Sequence, residues 1–170
     1  IEVNGEPRLA CSCRVSEGDQ LGPLSTLGHL RDLVVEREPV NKQLLRVSTL
    51  TPVNQVEAPI AEVSSLNRCI ECYGCLSDCP MHERNENEAL NSEQGFRYGN
   101  PYTLLKLQRA KLDPLLNEKD KKQILIKAVD LGLDSCLNCD GCKCQVGISL
   151  TNEVVEPLLA EAAAESISGF

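Results

Sequence analysis

Twelve residues constrain this chain more than any others: Cys69-Ile-Glu-Cys72-Tyr-Gly-Cys75-Leu-Ser-Asp-Cys79-Pro80. Their spacing, C-x2-C-x2-C-x3-C-P, lets one tight loop aim three thiolates at three corners of an iron–sulfur cubane. In two-cluster proteins the fourth cysteine of such a run ligates the other cluster. Gly74 tolerates the positive backbone dihedral that such wrapping often needs, and Pro80 turns the chain away. A second set of thiols is therefore expected, and Cys136-Leu-Asn-Cys139-Asp-Gly-Cys142-Lys-Cys144 provides it, with Gly141 matching Gly74.

The second run departs from the first at its end. A regular repeat would place its last cysteine where Val146 stands and a proline where Gly147 stands, but the last thiol is Cys144. Crosswise pairing puts Cys69, Cys72, Cys75 and Cys144 around one 4Fe-4S cluster and Cys79, Cys136, Cys139 and Cys142 around the other, so every one of these thiolates meets iron. Other assignments stay open. Structural zinc favours two separated C-x2-C pairs, which a triplet plus a distant single fits poorly. Disulfides spread their cysteines to close loops in small secreted domains, whereas these are clustered and the first residues do not read as a signal peptide. Cys144 could be a buried thiol outside any cluster, leaving the first with three protein ligands. Cys13 reads as a spare thiol.

The rest of the composition agrees with a soluble globular chain: 42% of the 170 residues are hydrophobic and 25% charged. Three Tyr, two Phe and no Trp leave the core to Leu, Ile, Val and Ala, so something besides side-chain burial is expected to hold the chain together. A formal net charge of -8 argues against nucleic acid as a partner. No apolar run approaches the ~18 residues that cross a bilayer.

Element signals divide the chain. Asn4-Gly5 between apolar Ile1 and Val3 and the following residues predicts two short strands about a tight turn. Such an edge needs a partner, supplied by another chain or by a domain whose beginning lies outside this sequence. Leu27, Leu30, Leu33, Val34 and Arg37 predict an amphipathic helix over 25–37, with Pro39 where it would stop. Residues 40–66 read as an extended connector with one strand near 44–50. Asn100-Pro101 predicts a capped helix carrying Leu104, Leu105, Leu107 and Ala110. Asn117 with Asp120 opens the next, whose apolar face is Ile124, Leu125, Ala128 and Val129 and which Gly132 closes. A last helix through Val154, Val155, Leu158, Leu159 and Ala162 is kinked or begun by Pro157. The fold class is thus mainly α: a helical two-cluster domain from about residue 60, preceded by a remnant of a β domain.

Nothing else reads as catalytic. His29 and His82 are lone histidines, neither with a motif around it, and the run from Glu83 to Glu93 reads as a solvated loop or short helix. There is no glycine-rich phosphate loop, no nucleophile with a base at motif spacing and no paired-carboxylate motif.

With those stretches in order, the chain resembles the iron–sulfur subunit of the succinate dehydrogenase and fumarate reductase family over nearly its whole length. Val3-Asn4-Gly5 with Leu9-Ala10-Cys11 resembles the end of that family's plant-type ferredoxin domain, and Leu30-Arg31-Asp32-Leu33-Val34-Val35 resembles its RDLVVD helix. Cys69 to Pro80 matches its first cluster motif, and Gly132-Leu133, Cys136 and Gly147-Ile148 resemble the frame of its second. The resemblance implies a β-grasp 2Fe-2S domain ending at residues 1–20, with Cys11 as its last ligand, a helix and connector at 21–59, and an α-helical domain with two 4Fe-4S clusters at 60–170. The family's three upstream cysteines lie outside this chain, so its 2Fe-2S domain is expected to be cut short here. Commonest members hold a 3Fe-4S cluster on three thiolates. The extra Cys139 instead resembles thiol-dependent fumarate reductases and archaeal-type succinate dehydrogenases, which carry a second 4Fe-4S cluster. The implied role is an electron-transfer subunit, in the cytoplasm or at the inner face of the cell membrane. Its implied partners are a flavoprotein subunit acting on dicarboxylates and either a quinone-binding membrane subunit or a heterodisulfide-reductase-like subunit. An independent ferredoxin-like carrier and a cluster-based redox sensor are the rival roles.

Overall fold

The structure, a computed structural model, describes residues 1–41, 60–77, 79, 100–139 and 141–167. Strands β1 (Glu2–Val3) and β2 (Glu6–Pro7) pair antiparallel across Asn4 and Gly5, whose φ angles are 54° and 82°. Two consecutive left-handed residues are what a type I′ hairpin turn requires, and Asn-Gly supplies them at least cost. The far edge of β1 is covered by β3 (Leu21–Gly22), which the sequence did not announce. Asn4 ties that strand down: it accepts from the Gln20 N–H at 2.9 Å and donates to Asp19 Oδ1 at 2.8 Å.

The helix expected over 25–37 is instead a hairpin, β4 (Gly28–Arg31) with β5 (Val34–Glu36), in register Gly28 to Glu36 and His29 to Val35. The apolar stripe misled because it is not buried. Leu30, Leu33 and Val34 are 54%, 45% and 49% exposed, and within the stretch only Leu27 is buried in a core, with Val35 half-buried against it. Asp32 turns the chain with φ 49°, a conformation that Asp tolerates better than most side chains, and β-branched Val34 and Val35 favour the strand. Pro39 does not stop a helix but lies near the start of α1 (Glu38–Asn41), where its missing N–H costs nothing. Within the stretch read as connector, residues 60–66 form α2 (Ile60–Leu66). The strand expected near 44–50, the run from Glu83 to Glu93, and His82 lie outside the described residues.

After the short α3 (Gly74–Ser77), α4 (Pro101–Lys111) is the central helix. It is buried at every position from Pro101 to Gln108 and packs against α2, α3, α5 (Glu118–Asp130) and a π-helical turn at Thr151–Val155. Asn100 caps it, accepting from the Thr103 N–H at 2.9 Å. Asn117 caps α5 in the same way, accepting from the Asp120 N–H at 2.9 Å, and left-handed Gly132 (φ 88°) ends it. Asn117→Ala should lower stability by about 1 kcal/mol in urea unfolding of the cluster-loaded protein. An unchanged midpoint would show that the cap does not hold α5.

The final helix is not a single α-helix. The π turn comes first, closed by the Glu156 N–H donating to Thr151 O five residues back, and α6 (Glu156–Ala164) follows. Pro157 has no N–H to give to the carbonyl of Glu153, so the regular ladder cannot run through this point.

Two cores result. The larger joins α4, α5, α6 and the turns around Leu66, Leu133, Ile148 and Val154, while the smaller gathers Leu24, Leu27, Val40, Tyr73, Leu76 and Tyr102. Cys69 and Cys75 pack against both. The described residues form a mixed fold, with small sheets up to Glu36 and helices beyond.

Candidate functional site

The first cysteine loop is anchored before it begins. Arg68 donates to Ser65 Oγ at 3.0 Å and across to Gly147 O at 3.2 Å, fixing the end of α2 to the segment after the second cysteine run. The loop then turns through Glu71 and Tyr73, both left-handed with φ 57° and 58°. The positive dihedrals thus fall on these two residues and not on Gly74, a correction to the sequence expectation. Gly74 instead gives room: a Cβ there would stand 3.0 Å from Gln145 Cγ, close enough that the Gln145 side chain would have to shift. Left-handed non-glycine residues cost on the order of 1–3 kcal/mol each unless the surroundings hold them. Here Lys106 pairs with the Glu71 carboxylate, and the Tyr73 ring packs tilted against Tyr102 at 4.6 Å between ring centroids.

Cys69, Cys72, Cys75 and Cys144 line one cavity, walled by Tyr73, Tyr102, Leu105, Val146 and Leu150. Cys144 reaches it because the chain turns back directly afterwards, with Gly147 at φ 75° and its N–H donating to Cys144 O at 3.2 Å. Burial pushes the Cys75 thiol well above its ordinary range, and Cys72, Cys144 and Cys69 push it further. Burial also raises Cys72, with a backbone hydrogen bond from Gly74 opposing and Cys144 and Cys69 adding. Ionising Cys72 and Cys75 in this apolar wall therefore calls for a cation to offset their charge.

The other four thiols form a second group. Cys136 closes a 3-10 turn (Leu133–Cys136) that fully buried Leu133 roots in the larger core. Burial, then Cys142, Cys79 and Cys139, push the Cys136 thiol up to about 12, and burial with Cys79 and Cys139 pushes Cys142 up to about 11. Cys79, from the first run, thus stands among the thiols of the second. Among the described residues no three His, Cys, Asp or Glu side chains converge on a single-ion site, and the cysteines stand as thiols, not disulfides. Soft thiolates surrounding an apolar space are the donor set of an iron–sulfur cluster.

The remaining sequence candidates stand apart. Cys11 is exposed on the loop after β2, with Cys13 beside it, and neither lines the cavity. His29 is exposed on β4, its Nε2 3.0 Å from Asp32 O. Sequence reasoning missed Arg68, Glu71, Tyr102, Lys106 and Gln145. A lysine inside the run Leu104-Leu105-Lys106-Leu107 was the available signal, since charge on a buried helix demands a partner.

No family model matches the chain. It is 31% identical, over 95% of its length, to an uncharacterized iron-sulfur protein of Methanocaldococcus jannaschii. Over 97% it is 24% identical to a subunit of the fumarate reductase (CoM/CoB) of Methanothermobacter marburgensis. The chain spans 32% of the length of each of these relatives. Among solved structures, one chain of the Mycobacterium smegmatis Sdh1 complex in the apo form shares the fold with a TM-score of 0.69. The likeness covers 96% of this chain and 71% of that one at 22% identity. The chain is thus similar to an iron–sulfur protein and to a fumarate reductase subunit. The solved structure shows a shared fold, and the cysteine motifs resemble those of the iron–sulfur subunits of the succinate dehydrogenase and fumarate reductase family.

Proposed function

We propose that the chain relays electrons through two 4Fe-4S clusters in a multisubunit oxidoreductase. One partner is a flavoprotein subunit acting on succinate or fumarate. The other is a quinone-binding membrane subunit or a heterodisulfide-reductase-like subunit. The observation that carries this is the crosswise grouping of thiols, Cys144 with the first triplet and Cys79 with the second. A cluster bound at each group supplies one-electron chemistry. The chain's own residues hold it: the eight cysteines are the ligands, Tyr73, Tyr102 and Leu105 keep water from the first, and Leu133 fixes the turn that delivers Cys136. Residues 60–170 are the α-helical two-cluster domain, 21–59 a connector, and 1–20 the end of a β-grasp 2Fe-2S domain in which Cys11 is the last ligand. No described helix is long and apolar enough to cross a membrane, and we place the protein in the cytoplasm or at the inner face of the cell membrane.

Anaerobic purification should yield on the order of eight irons per chain from residues 60–170, together with a co-purifying flavin subunit. A 3Fe-4S paramagnetic signal in fresh, unoxidised protein would overturn the two-cubane assignment. Iron-loaded protein that never associates with a flavin subunit would point to an independent carrier.

A further inference from the structure

Lys106 is a buried charge on the helix whose Tyr102 and Leu105 wall the first cavity. Its side chain is 8% exposed, it donates to Glu71 Oε1, and its ammonium lies 5.3 Å from the centroid of the Tyr102 ring. Both neighbours belong to the surroundings of the first thiol group. Glu71 stands between Cys69 and Cys72 in the chain, and Tyr102 and Leu105, on the same helix as Lys106, line the cavity. Replacing a buried ion pair with packed apolar groups is often neutral or stabilising, so holding the Glu71 loop does not by itself call for a charged pair.

We propose that Lys106 and Glu71 are positioning residues that set the reduction potential of the cluster held by Cys69, Cys72, Cys75 and Cys144, resting on the assignment of those four thiols to one cluster. In each turnover one electron would arrive from whichever partner is the donor and make the centre one charge more negative. The same electron then passes to the acceptor, restoring the oxidised centre. A fixed cation beside the cavity favours the reduced form, and the carboxylate favours the oxidised form. The ammonium is buried and weakly screened, whereas the Glu71 side chain is 45% exposed and better screened by water and salt. Each charge therefore acts with its own sign, the lysine more strongly.

The test is an anaerobic redox titration of the holoprotein in complex with its partner subunits, following each cluster by electron paramagnetic resonance. Lys106→Met should shift the first cluster about tenfold toward its oxidised form at a fixed potential, a midpoint ~59 mV lower for one electron. Glu71→Gln should shift it the opposite way by about threefold, and the double variant should fall between the two. Lys106→Arg, which keeps the charge, should retain the wild-type midpoint, and the second cluster should not move in any of them. A merely structural pair would move the midpoint in the same direction in both single variants, or not at all, and either result overturns the proposal. So does an equal shift in both clusters. Should Lys106→Met fail to fold, Glu71→Gln and Lys106→Arg still decide, because the proposal requires a raised midpoint in one and an unchanged midpoint in the other. Iron and sulfide analysis of the wild type separates the two assignments: absence of the first cluster there overturns the ligand assignment itself, while its presence with unmoved midpoints overturns only the tuning.

Discussion

Replacing Cys144 with serine should destroy or convert the cluster at the first thiol group while the second keeps its iron. Cys144 shares the cavity with Cys69, Cys72 and Cys75, and its neighbours offer no substitute of the same chemistry: Val146 is apolar and Gln145 is an amide. A serine oxygen is a hard donor in a soft-donor site and binds iron of such a cluster more weakly than thiolate does. Total iron should fall by one to four atoms per chain, on the order of the content of a single cubane. The paramagnetic signal of the second cluster should persist. The complementary Cys79→Ser should reverse the pattern, because Cys79 stands with Cys136, Cys139 and Cys142 although its own run lies more than fifty residues earlier. Unchanged iron and unchanged spectra in Cys144→Ser would show that water, another residue or a partner chain completes the first site.

The second large effect is expected at Leu133. This side chain is 0% exposed, belongs to the larger core and opens the 3-10 turn that ends on Cys136. Truncation to alanine removes buried apolar surface and leaves a cavity that rigid neighbours only partly fill, a loss of about 2–5 kcal/mol. The same cavity loosens the root of the turn, so the effect should reach the second thiol group. Urea titration of Leu133→Ala, followed both by far-ultraviolet circular dichroism and by the visible absorbance of the clusters, should show an earlier unfolding midpoint, with iron of the second cluster lost first. Simultaneous loss of both clusters at the wild-type midpoint would show that Leu133 does not support the site.

Local signals were legible wherever one residue type satisfies one local demand. Asn4-Gly5 forms its hairpin because both positions need positive φ. Asn100 and Asn117 cap their helices because a short side-chain oxygen reaches the N–H three residues on. The same locality failed at residues 25–37. There Leu27, Leu30 and Val34 fit a helical stripe, but a stripe becomes a helix only if something covers it, and the structure buries Leu27 while leaving Leu30 and Val34 to solvent. The π turn before Pro157 and the strand partner of β1 were likewise beyond local reach, since each depends on what its backbone meets in space.

The cysteine spacing by itself pointed to the chemistry proposed for this protein, because three thiols with two residues between neighbours suit a compact iron–sulfur cluster and two such runs suit two. Which thiol completes each group, and what surrounds it, only the tertiary structure decided. Cys144 is two residues out of register, and whether it reaches the first triplet depends on the turn at Gly147 and on Arg68 bridging the two segments. Glu71 and Tyr73 take the strained dihedrals that Gly74 was expected to supply, and they can do so because Lys106 and Tyr102 come up against them from α4. Spacing along a chain fixes which atoms can share a loop. Which side chains stabilise that loop is settled by packing between segments distant in sequence.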